Sequence, residues 1–167
     1  PAAEVLWRAK VVGERPDRTE TLNSIMPTPV LKDGYVYGIC SYGQLRCLKA
    51  DTGERIWESM EATRAKKDGR MDPTSPKPVE SPNDKAERWG NAFLVPNGDR
   101  YFLFNEKGDL IIASLSPSGY QEIDRTHVID PDNPMPGRLV VWSHPAFANR
   151  KMFVRNDHEI VCVSLAK

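Results

Sequence analysis

Residues 28–57 read TPVLKDGYVYGICSYGQLRCLKADTGERIW, and the spacing of apolar runs and turn residues in this stretch is typical of an antiparallel β-sheet. A short apolar run is followed by a Lys-Asp-Gly turn, an aromatic run of alternating character, a turn at Gly43 and a third apolar run. An Asp-Thr-Gly turn then leads into a fourth run, which carries Trp57. Four short β-prone runs joined by tight turns predict one four-stranded antiparallel sheet.

The same pattern returns twice along the chain. Residues 91–119 read NAFLVPNGDRYFLFNEKGDLIIASLSPSG, and residues 144–167 read HPAFANRKMFVRNDHEIVCVSLAK. The second copy continues into a fourth strand over 120–125, whereas the third copy stops after its third strand. Repeats at a period of tens of residues indicate modular packing in which no copy buries its own core. We therefore predict an all-β fold, a β-propeller segment of about three four-stranded antiparallel blades.

The pattern divides the chain into five parts. Residues 4–12 form a lone strand of a neighbouring or terminal blade, 25–60 and 89–127 are full blades, and 138–167 is an incomplete terminal blade. Residues 61–88 are rich in proline and charge, so we predict a mobile, solvated insertion there. Three blades cannot close a ring, and soluble monomers avoid large exposed apolar faces. We therefore expect a homo-oligomer, or the remainder of a longer propeller chain, to cover the open ends.

Composition argues against several classes of partner. Lys plus Arg and Asp plus Glu are balanced at 23 each in 167 residues, which gives no reason to expect a nucleic-acid partner. The longest apolar runs are of strand length, so we expect no membrane span. Cys40, Cys47 and Cys162 show no metal-binding spacing. Cys47 and Cys162 fall at the same place in two copies, where we predict small buried side chains of the third strand.

The first copy closely resembles the PQQ-like β-propeller repeat, whose general form is strand, Asp-Gly, aromatic strand, Gly-x-Leu, aliphatic strand, Asp-x-x-Thr-Gly, strand and Trp. The second copy keeps Gly108–Leu110 but has Ser-Pro-Ser-Gly in place of Asp-Thr-Gly and lacks the final Trp. The chain resembles the C-terminal part of secreted bacterial propeller-repeat proteins, which are similar to outer-membrane assembly lipoproteins that hold other proteins. The resemblance implies a periplasmic or secreted location, and it implies that Trp57 is a packing residue that lies against the neighbouring blade or along the rim.

The resemblance implies a non-catalytic scaffold or binding module for protein or polymer partners. Quinoprotein alcohol dehydrogenases of similar repeat type use a calcium site, a disulfide ring of adjacent cysteines and a catalytic Asp. The present sequence has no adjacent Cys pair and no run of cofactor-stacking Trp with calcium ligands. We therefore expect no PQQ, calcium or other cofactor and no catalytic residue. Two alternatives stay open: a quinoprotein-dehydrogenase fragment whose catalytic blades lie outside this stretch, and a carbohydrate-binding propeller.

Aligning the copies identifies candidate ligand-binding residues. Met26, Trp89 and Trp142 align at one position, and two residues later Thr28, Asn91 and His144 align. These positions open the innermost strand of each blade, which in a propeller lines the mouth of the central channel. The predicted funnel therefore comprises Thr28, Trp89, Asn91, Trp142 and His144. The alternative is that the tryptophans pack under connecting loops and the polar side chains satisfy backbone groups and water.

Overall fold

The computed structural model describes residues 3–9, 13–64, 66–67, 70–71 and 88–166. These parts of the chain contain one short 3-10 helix and fifteen strands. None of the described residues forms a helix long and apolar enough to cross a membrane. The architecture is all-β, built from antiparallel sheets of consecutive strands.

The first sheet has four strands, and each strand pairs with the next along the chain. These strands are β1 (Val30–Lys32), β2 (Tyr35–Ile39), β3 (Leu45–Lys49) and β4 (Arg55–Ser59). The β1–β2 turn is a two-residue hairpin in which Asp33 and Gly34 have φ angles of 50° and 79°. Asp-Gly favours this turn because both central residues need positive φ. β1 begins at Val30, five residues into the predicted blade 25–60, since Pro27 and Pro29 cannot donate to a strand ladder.

The segment after the first sheet falls largely outside the described residues. The predicted insertion 61–88 is described only at 61–64, at its end, and in the two-residue strands β5 (Lys66–Lys67) and β6 (Arg70–Met71), which pair with each other. Its first residues pack closely. Ala62 is buried, and the Thr63 hydroxyl donates to the Gly43 carbonyl at 2.8 Å.

The second sheet repeats the architecture of the first, and the third sheet has three strands. The second comprises β7 (Ala92–Asn97), β8 (Arg100–Asn105), β9 (Asp109–Ser116) and β10 (Gly119–His127). A small hairpin follows, β11 (Asn133–Met135) with β12 (Arg138–Val140), and then β13 (Ala146–Ala148), β14 (Lys151–Arg155) and β15 (Ile160–Ser164). The predicted fold class is confirmed, with two four-stranded blades and a third blade of three strands.

The core lies between successive sheets. Alternate residues of β8 point to opposite faces of the second sheet, because side chains in a strand alternate with a period of two. Tyr101 and Leu103 pack with Tyr37 and Leu45 of the first sheet. Phe102 and Phe104 face the third sheet, and the ring of Phe102 stacks on Phe147 at 4.8 Å between centroids. The second sheet is therefore covered on both faces.

The predicted lone strand at the N-terminal end needs correction. Residues 3–9 of the predicted 4–12 strand are not in a strand, and residues 10–12 lie outside the described part. Trp7 instead lies on the β3–β4 turn, where its indole Nε1 donates to the Ala50 carbonyl at 2.9 Å.

The cysteine prediction holds for one position and fails at the other. Cys47 pairs with Tyr37, and Cys162 pairs with Phe153, so the two positions are equivalent in register. Cys47 is buried because the second sheet covers it, whereas Cys162 is exposed because it lies on the outer face of the third sheet.

Candidate functional site

The hairpin registers place the three copies in a new alignment. Each first hairpin turns on two residues, since Lys32 pairs with Tyr35, Asn97 with Arg100, and Ala148 with Lys151. Six residues before Lys32, Asn97 and Ala148 stand Met26, Asn91 and Trp142. Four residues before them stand Thr28, Phe93 and His144. The predicted equivalence of Trp89 with Met26 and Trp142 is therefore wrong by two residues, because the hairpin and not the tryptophan sets the register.

Trp89 is held in place from three sides. Its backbone has a φ of 63°, and its N–H donates to the Ser41 carbonyl at 2.6 Å. The indole Nε1 donates to Glu14 Oε2 at 3.3 Å. The guanidinium of Arg88 lies 4.4 Å from the indole centroid and also pairs with Glu14. A cation over an indole face is attractive, so Arg88 stabilises this orientation of the ring.

Glu106 holds the second predicted tryptophan. Its carboxylate is 4 % exposed; it accepts from Arg138 Nε at 2.7 Å and from Arg138 Nη2 at 3.2 Å. The indole Nε1 of Trp142 donates to Glu106 Oε2 at 3.1 Å. Bidentate Arg–carboxylate pairs are directional, so Glu106 and Arg138 fix the position of Trp142. No sequence motif marks either residue, although Glu106 lies two residues before Gly108 just as Ser41 lies two before Gly43.

Two hydrogen bonds to backbone carbonyls connect the Glu106–Arg138 pair to Asn91 and to the residue that precedes Trp89. The Glu106 N–H donates to the Asn91 carbonyl at 3.0 Å, and Arg138 Nη2 donates to the Arg88 carbonyl at 2.9 Å. The structure thus links Trp89, Asn91 and Trp142 through one ion pair.

The remaining two predicted residues lie apart from this network. His144 is exposed, and its ring lies 4.7 Å from the Phe93 centroid. Thr28 is exposed in the segment that precedes β1, and it does not line the small cavity beside Asn91.

Asn91 carries a feature that no sequence pattern indicates. The residue is 1 % exposed, and its side-chain Oδ1 and Nδ2 have no hydrogen-bond partner within the described part of the chain. A cavity of about 10 Å³ adjoins it, lined among others by Ile25, Met26 and Trp89. An unsatisfied buried polar group costs about 1–3 kcal/mol, so the amide favours any polar atom that can reach it. Met26 and Ile25 are 39 % and 45 % exposed.

A second polar cluster fastens the end of β10. Arg125 Nη1 lies 3.0 Å from Asp109 Oδ2, and Arg125 Nη2 lies 2.8 Å from Glu122 Oε2. His127 bridges two carboxylates, with Nδ1 3.1 Å from Asp109 and Nε2 2.9 Å from Asp130. Burial lowers the pKa of His127, but the hydrogen bonds to Asp109 and Asp130 outweigh it and raise the pKa above its ordinary value. The cluster thereby links the start of β9 to the end of β10 and to the segment that follows it.

The polar groups beside Trp142 are also largely engaged with one another. A cavity of about 180 Å³ is lined there by Trp142, Asp132, Asn133 and Asp157 among others. The Asn133 amide donates to Asp157 at 2.8 Å, and both carboxylate oxygens of Asp132 accept from the Asp157 N–H at 3.1 Å. Across the described ranges, no group of three or more His, Cys, Asp or Glu side chains could hold a metal ion.

Two solved structures resemble the chain. Quinohemoprotein alcohol dehydrogenase from Comamonas testosteroni matches with a TM-score of 0.46 and 18% identity over 81% of this chain and 17% of its own. BamB from Moraxella catarrhalis matches with a TM-score of 0.39 and 14% identity over 82% of this chain and 42% of its own. Both likenesses cover about four fifths of this chain at less than 20% sequence identity. The chain spans less than half the length of either protein. Its sequence matches no family model and no curated protein.

Proposed function

We propose that the chain is a non-catalytic, extracytoplasmic binding or scaffold module that holds a protein or polymer partner at the site lined by Ile25, Met26, Trp89 and Asn91, which we call the channel-end site. The observation that carries the proposal is the buried Asn91 amide, which has no hydrogen-bond partner among the described residues and lies next to the exposed Ile25 and Met26. An apolar rim around a few convergent polar atoms is the usual composition of a recognition site. The extracytoplasmic location follows from the resemblance of the repeat.

A peptide is the partner chemistry that suits this site best. A primary amide offers two donors and one acceptor with two lone pairs, which match the carbonyl and N–H of a peptide group. Met26 is unbranched and can repack around different apolar side chains. The Glu106–Arg138 pair holds the adjoining backbone, so the partner would meet a site that is already ordered.

Two substitutions in the site test this proposal. The wild-type chain and the Met26→Ser and Asn91→Leu variants would be cross-linked in an extracytoplasmic extract of the source organism, and the captured partners identified by mass spectrometry. We expect both variants to lose a partner that the wild type retains. Ile123→Ser is the matched control, since Ile123 is 46 % exposed but lies on β10, outside the site.

The stability of Asn91→Leu separates recognition from packing. Replacing an unpaired buried amide by an apolar group of similar size is neutral or stabilising. A variant that is at least as stable as wild type and loses the partner would support the proposal. Unchanged partners for both variants would contradict it.

We further propose that the module works without PQQ or calcium. Adding both should leave the melting temperature unchanged, and a clear rise would contradict this, because a ligand that binds the folded state stabilises it.

The first and third sheets each expose a large apolar side chain. Leu31 of β1 is 68 % exposed, and Ile160 of β15 is 72 % exposed. We propose that another copy of the chain or further blades of a longer propeller cover these exposed side chains. Light scattering over a concentration series tests the first case: a dimer or closed assembly supports it, and a monomer at all concentrations contradicts it.

A further inference from the structure

Trp57 and Asp124 occupy the same register position in successive sheets. In the first sheet one cross-strand row runs Val30, Tyr37, Cys47 and Trp57. In the second sheet the row that starts at the same distance from its hairpin runs Val95, Phe102, Ile112 and Asp124. At this position the first sheet carries the indole of Trp57, whereas the second sheet carries the carboxylate of Asp124.

The indole of Trp57 closes the space between the first and second sheets. Its ring centroid lies 6.1 Å from that of Tyr37, and its Nε1 donates to the Ser116 carbonyl of the second sheet at 2.9 Å. Tyr37 is 2 % exposed and Cys47 is fully buried. The counterparts of these residues in the second sheet, Phe102 and Ile112, are only half-buried.

A cleft of about 410 Å³ lies at the corresponding place between the second and third sheets. Its walls include Phe102, Leu110, Ile112 and Asp124 from the second sheet and Val163 and Ala166 from the third. The volume falls in the range of about 300–1,000 Å³ that small-molecule sites occupy. Asp124 is exposed at the mouth of the cleft.

The third sheet also supplies the counterpart of the acceptor that Trp57 uses. Phe153 pairs with Cys162 as Phe102 pairs with Ile112. Ser116 follows Ile112 by four residues, and Ala166 follows Cys162 by four residues. The Ala166 carbonyl therefore corresponds in register to the carbonyl that accepts the Trp57 indole N–H.

We propose that this cleft binds a tryptophan side chain presented by a partner peptide. The indole ring would pack on Phe102, Ile112 and Val163, as Trp57 packs on Tyr37 and Cys47. The indole N–H would donate to the Ala166 carbonyl or to the Asp124 carboxylate. Aromatic side chains in such pockets are the usual anchors of protein interfaces. The site is separate from the channel-end site and does not depend on it.

A titration with N-acetyl-tryptophanamide tests the proposal on the wild-type chain. Saturable changes in the methyl NMR signals of Leu110, Ile112 and Val163 are expected, with the Met26 methyl unchanged. N-acetyl-leucinamide should bind about tenfold more weakly or worse, because its side chain lacks the aromatic ring that contacts Phe102. No saturable change, changes elsewhere, or equal affinity for the two amides would overturn the proposal.

Two tryptophan variants provide an independent test. Asp124→Trp supplies the indole from within the chain and should raise the melting temperature and abolish binding of the amide. Ile123→Trp is the matched control, because Ile123 precedes Asp124 but is not part of the lining, and it should bind as wild type does. Undiminished binding by a folded Asp124→Trp would overturn the proposal. If that variant does not fold, Val163→Phe fills the cleft from the opposite wall and should abolish binding in the same way; undiminished binding there would be equally decisive.

Discussion

The Glu106 carboxylate and the Arg138 guanidinium are 32 residues apart in sequence and form a buried bidentate ion pair. Their side chains are 4 % and 7 % exposed, and their closest N–O distance is 2.7 Å. The pair joins the β8–β9 turn to β12, and Trp142 donates to the same carboxylate. It thereby connects the second sheet to the chain that leads into the third.

Glu106→Gln should lower the free energy of unfolding by about 3 kcal/mol. Removing one partner of a buried pair leaves the other charge desolvated, which costs about 3–5 kcal/mol, and the amide recovers part of this as a hydrogen bond. Urea unfolding monitored by fluorescence measures the change. The exposed pair of Lys49 with Glu54 provides the control, and Glu54→Gln should change stability far less, because water screens an exposed pair. Equal effects of the two substitutions would contradict this assignment.

Gly108→Ala should be far more destabilising than Gly98→Ala. Both glycines have positive φ, 83° and 62°, so alanine at either position costs about 1–2 kcal/mol of backbone strain. At Gly108 a Cβ would also lie 1.7 Å from the Ile129 carbonyl oxygen, whereas at Gly98 nothing lies within 4 Å. Since the clashing atom is backbone, we expect a Gly108→Ala loss of more than about 3 kcal/mol. Chemical denaturation of both variants checks this, and similar losses would show that the Ile129 segment moves aside freely.

The sheets could be predicted from the sequence because turn residues and apolar alternation, which form hairpins, are features of neighbouring residues. The Asp33-Gly34 turn and the alternation after it predict the β1–β2 hairpin correctly, and the resemblance implies that Trp57 packs on the neighbouring blade or along the rim. The indole of Trp57 does reach the second sheet, through its bond to Ser116.

The candidate site was predicted only in part because it depends on long-range contacts. Trp89 and Asn91 do lie together, and Trp142 joins them, but through Glu106 and Arg138, which no motif connects. The register at Asp124 follows from a bulge between Glu122 and Asp124 in the pairing of β10 with β9, which single-sequence alternation does not reveal.

Trp57→Phe and Trp57→Ala should destabilise the chain in two steps. Phenylalanine keeps most of the ring contact with Tyr37 but loses the bond to Ser116, so we expect a loss of about 1 kcal/mol. Alanine removes the ring as well, and we expect about 3 kcal/mol. Urea unfolding measures both changes. A Trp57→Ala loss no larger than that of Trp57→Phe would mean that the ring contributes little to the contact between the sheets.

The bridge that His127 forms between Asp109 and Asp130 should make stability depend on pH. Burial lowers the pKa of His127, but hydrogen bonds to the two carboxylates raise it above its ordinary value overall. A folded-state pKa above the unfolded value means that the folded chain binds the proton more tightly. The stabilisation is therefore fully present below about pH 6.5, the unfolded value, and is lost as the pH rises through the folded pKa.

The difference in unfolding free energy between wild type and His127→Gln should accordingly shrink from mildly acidic to alkaline pH. Asp130→Asn should reduce the pH dependence without removing it, because Asp109 still accepts from Nδ1. Urea unfolding at a series of pH values, with an NMR titration of the His127 Hε1 signal, measures both quantities. A difference that is constant with pH, or an NMR pKa below the ordinary histidine value, would show that the two carboxylates do not hold the proton on this ring.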